Sequence, residues 1–395
     1  MRRRKWDYHK LVVPVLLVVT SVLMLATTPS LPGQQRGPSS AEPLLERIGL
    51  FPHAIAVGDF TGDGIPDIAV PAAAERKVSV LLSDGKGGFA ANAAYPVGKG
   101  PTWVEVGDWD GDGALDLVTA NSGGGSLTLY FGDGTGTFGR AQEIQGIDSP
   151  ASLVAVDMNR NRRPDLAVVQ VRDSRLLILE NLGGRFRPAG TYAIGRGPHI
   201  VTHADLNGDG IQDLIVGTFA RHVLSVLLGK GDGTFQEARE IPVGRFPHYM
   251  AVGDWNGDGH QDLAVVCAGE DAVRLLQGDG IGALRKVGTL PTGPNPHGLV
   301  AADLNGDGVT DLAVSTRSGG EIAVFLGDGK GGFAALPPLR LGPDQDLIAL
   351  AARDFDRDGI ADLALVSASH GSVIMLRGEG TGRFSPFQES AAARP

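Results

Sequence analysis

Residues 205–216 read DLNGDGIQDLIV, and six other stretches of the chain repeat this pattern. The copies begin at an aspartate and are spaced 48 to 51 residues apart. The seven leading aspartates are Asp59, Asp108, Asp157, Asp205, Asp254, Asp303 and Asp354. Even spacing of this kind indicates a repeat architecture, in which one structural unit is built again and again. The fold is therefore determined by a unit of about 49 residues and by how its copies pack.

Each unit contains four short segments separated by glycine- and aspartate-rich turns. In the fourth unit, HIVTHA precedes the aspartate, DLIVGT and LSVLL follow it, and the turn GKGDGTF ends at Phe235. Apolar segments of four to seven residues bounded by turn formers predict strands, and none has the length or period of an amphipathic helix. Four antiparallel strands repeated seven times predict an all-β, seven-bladed β-propeller of four-stranded antiparallel blades. A linear β-solenoid is the alternative, although its coils are normally shorter.

The repeat assigns most of the chain to one domain, residues 44–390. Within it the blades are expected near residues 52–98, 101–147, 150–195, 198–244, 247–293, 296–342 and 346–388. The segment that completes the seventh blade is left open by the sequence.

The first 26 residues differ in kind from the repeats. Four basic residues, 2–5, precede an apolar run at 11–26, which is the pattern of an export signal. The sequence leaves open whether residues 1–26 are a cleaved signal peptide or an uncleaved signal anchor, and residues 27–43 are expected to form a flexible spacer. The expected location is therefore secreted, periplasmic or at the cell surface, with the N-terminal segment as a candidate membrane anchor.

Composition excludes several classes of function. The formal net charge is −10, which disfavours a nucleic-acid partner because such proteins present a basic face. Cys267 is the single cysteine, so an internal disulfide and a thiolate zinc cluster are both excluded. The uniform repeat length leaves no long insertion of the kind that carries catalytic residues in loop-built active sites. The chain is expected to be monomeric.

The repeated aspartate loop has the spacing of a calcium site. In the first unit Asp59, Thr61, Asp63 and Asp67 occupy positions 1, 3, 5 and 9, and Gly64 at position 6 permits a sharp turn. Calcium prefers six to eight oxygen ligands, and position 7 of such a loop supplies a backbone carbonyl. The loop differs from an EF-hand because position 12 is an apolar strand residue and not a bidentate glutamate.

Six loops keep the full pattern and predict about six calcium ions. The expected ligands at positions 1, 3, 5, 7 and 9 are Asp59, Thr61, Asp63, Ile65 and Asp67; Asp108, Asp110, Asp112, Ala114 and Asp116; Asp205, Asn207, Asp209, Ile211 and Asp213; Asp254, Asn256, Asp258, His260 and Asp262; Asp303, Asn305, Asp307, Val309 and Asp311; and Asp354, Asp356, Asp358, Ile360 and Asp362.

The third loop, which begins at Asp157, departs from this pattern. Arg160, Arg162 and Arg163 surround it, and Arg162 replaces the turn glycine. We expect this loop to be empty, with the arginines taking the place of the ion.

These loops resemble those of the FG-GAP or VCBS repeat family, whose members include the propeller of integrin α subunits. The resemblance covers about residues 44–390 and implies a seven-bladed propeller with calcium in the loop between the first two strands of a blade. Integrin propellers carry the loop in only some blades and contain insertions. The uniform spacing here is closer to a bacterial-type exported member. The family is functionally broad and implies no particular ligand.

A second motif, Pro-His, lies six residues before the loop aspartate in four units. Its histidines are His53, His199, His248 and His297. They are expected at the mouth of the central channel on the face opposite the loops, forming a pocket with Trp103 and Tyr249 close by. They either hydrogen-bond to backbone groups at a turn or form a ligand site.

Two functions remain open at this point. The first is an extracellular calcium-binding module for adhesion or for binding a protein or glycan. The alternative is a propeller enzyme, a lyase or hydrolase, with the histidines at its centre. Catalytic residues are not assigned by the sequence.

Overall fold

The computed structural model describes residues 44–387, which form seven antiparallel β-sheets. The predicted N-terminal signal or anchor segment, the predicted spacer and the last eight residues lie outside this range. Each sheet contains four strand positions in chain order, so the expectation of an all-β, seven-bladed propeller is confirmed.

The strand bounds follow the repeat closely. Blades 1 to 4 consist of Ala56–Gly58, Asp67–Ala72, Lys77–Ser83 and Phe89–Pro96; Pro101–Gly107, Asp116–Asn121, Ser126–Gly132 and Phe138–Gln145; Pro150–Val156, Asp165–Gln170, Arg175–Asn181 and Phe186–Ala193; and Pro198–Ala204, Asp213–Thr218, Val223–Leu227 and Arg239–Pro242. Blades 5 and 6 consist of Pro247–Gly253, Asp262–Cys267, Ala272–Gly278 and Leu284–Pro291; and Pro296–Ala302, Asp311–Thr316, Glu321–Gly327, Phe333–Ala335 and Leu339–Arg340. A 3-10 turn, Ala268–Glu270, connects two strands of blade 5.

The seventh blade is built from both ends of the described chain. Its strands Leu347–Arg353, Asp362–Ser367 and Ser372–Gly378 are followed by Phe384–Pro386, which pairs with the last part of Ser372–Gly378. Leu44–Arg47 pairs antiparallel with the first part of the same strand. The ring is thus closed by strand pairing between its first and last segments, which also covers an exposed sheet edge.

The core lies between the blades, because the second strand of every blade is buried along its whole length. Side chains from neighbouring sheets meet there: Val169 of blade 3 and Val216 of blade 4 share one cluster, and Val70 of blade 1 and Val366 of blade 7 share another. The aliphatic second strands therefore supply the apolar burial that holds the blades together.

Strand register separates two faces of the ring. In blade 4, Ala204 pairs with Asp213 at the end where the aspartate loop joins the first two strands. Pro198 pairs with Thr218 at the other end, next to His199. We call these ends the loop face and the histidine face. Between residues 44 and 387 no helix has the length and apolarity needed to cross a bilayer.

Candidate functional site

The first aspartate of each loop is held by backbone amides of the same loop. Asp59 accepts hydrogen bonds at Oδ1 from the amides of Gly62 and Asp63, 2.7 and 3.2 Å away, and at Oδ2 from Gly64 at 2.8 Å. Burial disfavours the charged form of Asp59, but these bonds outweigh it and lower its pKa below the ordinary value. The bond from position 6 is present in all seven loops. Each loop is thus shaped around the carboxylate at position 1.

The aspartate at position 9 accepts a second set of backbone hydrogen bonds. In blade 1, Asp67 is buried and accepts hydrogen bonds from the amides of Phe60, 2.9 Å away, and Ser83, 2.8 Å away. The equivalent pair of bonds occurs in all seven blades, where it ties the loop to the end of the third strand. Burial raises the pKa of Asp67 to about 6, an effect that the two hydrogen bonds offset only in part.

Carboxylates converge in two of the loops. One oxygen each from Asp108, Asp110 and Asp112 lie within 4.8 Å of one another. The same holds for Asp354, Asp356 and Asp362. Oxygen ligands alone at this spacing fit a hard cation such as calcium better than a transition metal.

The guanidinium group of Arg377 reaches the loop of blade 7. Its Nε donates to Asp356 at 2.9 Å and its Nη2 to Asp358 at 2.8 Å. A cation at this loop would share these carboxylates with Arg377. The sequence pattern of the loop gave no sign of this contact, because Arg377 lies on the third strand, outside the motif.

The third loop keeps the backbone shape of the others. The Arg162 amide donates to Asp157 at 2.7 Å, although Arg162 has a φ of 65° where the intact loops have glycine. Arg160 reaches the backbone carbonyl of Asp209 in the next blade, 3.4 Å away. Within residues 44–387 no ion pair joins the three loop arginines to Asp157 or Asp165. The arginines therefore do not replace an ion by binding these carboxylates.

On the histidine face, rings from three neighbouring blades are in contact. The ring centroids of His199 and His248 are 4.7 Å apart, and those of His248 and His297 are 4.0 Å apart. His199 also stacks on Phe219 at 4.4 Å. His297 is buried, and its Nδ1 lies 2.6 Å from the carbonyl oxygen of Ile348 in blade 7. These rings thus pack together and are not splayed apart.

The remaining residues of the predicted histidine site meet across the channel. Trp103 of blade 2 and Tyr249 of blade 5 have ring centroids 5.8 Å apart, and the Tyr249 hydroxyl donates to the carbonyl oxygen of His53 at 3.4 Å. Two cavities, of about 400 and 450 Å³, are lined by loop-face residues. The structure thus brings five of the six predicted side chains into ring contacts, whereas His53 is exposed and contributes its backbone carbonyl.

Sequence reasoning missed a carboxyl group beside this cluster. Glu105 lies on the first strand of blade 2, two residues after Trp103. The indole Nε1 of Trp103 is 3.5 Å from Oε2 of Glu105. Burial raises the pKa of Glu105 to about 7. Its position in the sequence could have identified Glu105 as a candidate, because a glutamate on an inner strand does not fit the apolar repeat pattern.

The pKa of His297 is lowered to about 3, mainly by burial and secondly by the positive charge of Arg317. As pH falls, His297 is therefore protonated in the unfolded chain at a higher pH than in the folded chain. The neutral ring stabilises the fold above pH 6.5, and this contribution to stability is lost towards pH 3. At pH 4.5 the loss is about 3 kcal/mol. Urea unfolding with saturating calcium should show that His297→Gln is less acid-sensitive than the wild type by this amount.

The matched control is His370→Gln, a substitution at an exposed histidine, which should keep the wild-type dependence on pH. Equal acid sensitivity in all three proteins would contradict the buried, neutral state of His297.

Fold and loops together define a class: a seven-bladed propeller with an aspartate loop between the first two strands of each blade. The family model described as "FG-GAP-like repeat" matches this chain at residues 59–119, 108–168, 157–216, 205–265, 254–314 and 303–365. The chain therefore belongs to the FG-GAP-like repeat family.

Solved structures share the fold at low sequence identity. BBS1N, in complex with ARL6DN, is 14% identical over 85% of this chain and 95% of its own, with a TM-score of 0.62. Virginiamycin B lyase from Staphylococcus aureus is 12% identical over 85% of this chain and 99% of its own, with a TM-score of 0.59. A putative 6-phosphogluconolactonase from Bacteroides uniformis is 16% identical over 73% of this chain and 85% of its own, with a TM-score of 0.57. No curated protein matches the sequence.

Proposed function

We propose that the chain is an exported, calcium-binding β-propeller that serves as an adhesion or binding module for a protein or glycan ligand. The observation that carries the calcium assignment is the convergence of Asp108, Asp110 and Asp112 within 4.8 Å. Magnesium is a poorer candidate, because it retains its waters and seldom uses a site made entirely of protein ligands. Calcium modules outside cells bind with dissociation constants of about 0.1 to 1 mM. The basic and apolar N-terminal sequence supports export.

Two structural features favour a binding module over an enzyme. The imidazole of His297 hydrogen-bonds to a backbone carbonyl, and Thr102 of blade 2 makes the equivalent bond to Ala151 of blade 3 at 3.0 Å. This repeat position therefore joins neighbouring blades whether or not it is a histidine. The ring of Tyr249 also packs against that of His297, with centroids 5.8 Å apart.

The alternative is a lyase or hydrolase with a histidine-lined central site. It is favoured by the contact between three imidazoles and by Nδ1 of His248, which is buried without a hydrogen-bond partner in the structure. The fold itself accommodates either function, since the structural neighbours include both a propeller in complex with another protein and a lyase.

Calcium content tests the loop assignment. At a fixed free calcium concentration, elemental analysis of the wild type should give five to seven calcium ions per chain. Asp209→Ala removes a position-5 ligand and should lower the count by one. Asp157→Ala is the matched change in the loop expected to be empty, and it should leave the count unchanged. Zero to two ions in the wild type, or equal losses in both variants, would contradict the assignment.

Ligand binding tests the second half of the proposal. The calcium-loaded chain, applied to glycan and extracellular-protein arrays, should bind a small set of ligands and lose them when a chelator is added. Absence of binding with calcium present would count against a binding module.

A further inference from the structure

A cavity of about 450 Å³ lies between blades 4 and 5 on the loop face. Its walls include His203 and Gln212 of blade 4, His260 and Gln261 of blade 5, and the loop aspartate Asp205. We call this cavity the blade 4–5 pocket. Its volume falls within the range of small-molecule sites, about 300 to 1,000 Å³.

The sevenfold repeat provides an internal reference for these walls. At the position of His203 the other blades have Val57, Val106, Ala155, Val252, Ala301 and Ala352. At the position of His260 they have Ile65, Ala114, Arg163, Ile211, Val309 and Ile360. At the position shared by Gln212 and Gln261 they have Pro66, Leu115, Pro164, Thr310 and Ala361.

Four side chains thus depart from the repeat in two adjacent blades, and all four line the same cavity. The other blades adopt the same fold without them, so the fold does not require an imidazole or a carboxamide at these positions. Their convergence points to a ligand.

The chemistry of the pocket is polar and adaptable. Nδ1 of His203 lies 2.7 Å from Oε1 of Gln212, so the ring donates there and the neutral imidazole keeps Nε2 as an acceptor. The amide NH₂ of Gln212 then remains as a donor. Gln261 and His260 offer a further donor and acceptor each. His260 is exposed and the other three are half-buried, so these groups can be reached from solvent.

Other ligand classes fit less well. An anion would meet Asp205 and the neighbouring loop carboxylates. A transition metal needs several ligand atoms close together, and among residues 44–387 the groups of three or more such atoms include neither His203 nor His260. An apolar ligand would leave the polar walls without partners.

We propose that the blade 4–5 pocket binds a neutral saccharide, whose hydroxyl groups both donate to and accept from the imidazoles and carboxamides. The inference rests on the proposed binding function and deepens it by naming a ligand class and a site.

Saturation-transfer NMR on the calcium-loaded chain tests this directly. The probe is a mixture of glucose, galactose, mannose, N-acetylglucosamine, lactose and cellobiose. We expect transfer to at least one of these sugars. His203→Val, which installs the residue of blades 1, 2 and 5, and Gln261→Ala should each weaken that binding about tenfold, since each removes one to two hydrogen bonds.

The matched control is Thr310→Ala, which changes the residue equivalent to Gln261 in blade 6 and should leave the transfer unchanged. Absence of transfer from the wild type to every sugar, or transfer in both pocket variants as strong as in the wild type, would overturn the inference. Calcium content and the thermal midpoint are measured on the same samples. A chain that binds calcium but no sugar refutes the pocket alone, whereas a chain that binds no calcium refutes the proposed calcium function.

Discussion

Removal of calcium by a chelator should lower the thermal unfolding midpoint of the chain by about 10 °C. At 1 mM ion and a dissociation constant of about 0.1 mM, each site contributes about 1.4 kcal/mol. Six independent sites then sum to about 8 kcal/mol, which is comparable to the whole stability of many domains. For a propeller of this size that free energy corresponds to a shift of roughly 10 °C.

The physical reason is charge. The formal net charge of −10 would become about +2 with six divalent ions bound, and the loop carboxylates would lose their mutual repulsion. Differential scanning calorimetry before and after chelation measures the effect, and re-addition of calcium should restore the midpoint. Magnesium at the same concentration is the control and should restore much less. An unchanged midpoint in a sample shown to have lost its metal would rule out a structural role for the ion.

Most of the fold could be predicted because its determinants are local and repeated. The apolar segment DLIVGT is short, rich in β-branched residues and flanked by turn formers, and six similar segments recur at the same spacing. Six of the seven loops likewise contain the aspartates and the glycine that the turn requires. Seven repetitions of one pattern reduce the ambiguity that a single copy would leave.

Contacts between blades could not be predicted in the same way. Arg160, for example, reaches a carbonyl group of the next blade. Such contacts depend on how the ring closes, which no single repeat encodes. The pairing of Leu44–Arg47 with the seventh blade is another example, because that segment has no aspartate loop of its own to identify it.

The sequence contained evidence for a structural role of the aspartate at position 9, but the residue was interpreted only as a metal ligand. Asp165 is retained in the third loop, where position 5 has changed from aspartate to asparagine and the turn glycine to arginine. A residue that serves only a metal ion has no reason to remain in a loop expected to be empty. The structure supplies the reason, since Asp165 hydrogen-bonds to the amides of Met158 and Asn181.

Asp165→Ala should destabilise the propeller by about 3 to 4 kcal/mol. The substitution leaves the buried amides of Met158 and Asn181, 3.2 and 2.8 Å from the carboxylate, without an acceptor, and each such loss costs about 1 to 3 kcal/mol. Asp157→Ala in the same loop should cost less than about 1 kcal/mol, because the amides that it leaves are exposed and can bond to water. Urea unfolding of the two variants measures the difference.

A chelator separates this role from metal binding. In the third loop the cost of Asp165→Ala should be the same with and without calcium, since its carboxylate acts on the backbone. In the fourth loop Asp209→Ala should cost more with calcium present than without it, whereas Asp213→Ala, which removes the equivalent bonds to Leu206 and Gly229, should remain costly in both conditions. If Asp165→Ala proved no more harmful than Asp157→Ala, or harmful only when calcium is present, then the seven buried aspartates would be metal ligands first, and the hydrogen bonds that join each loop to the third strand would be secondary.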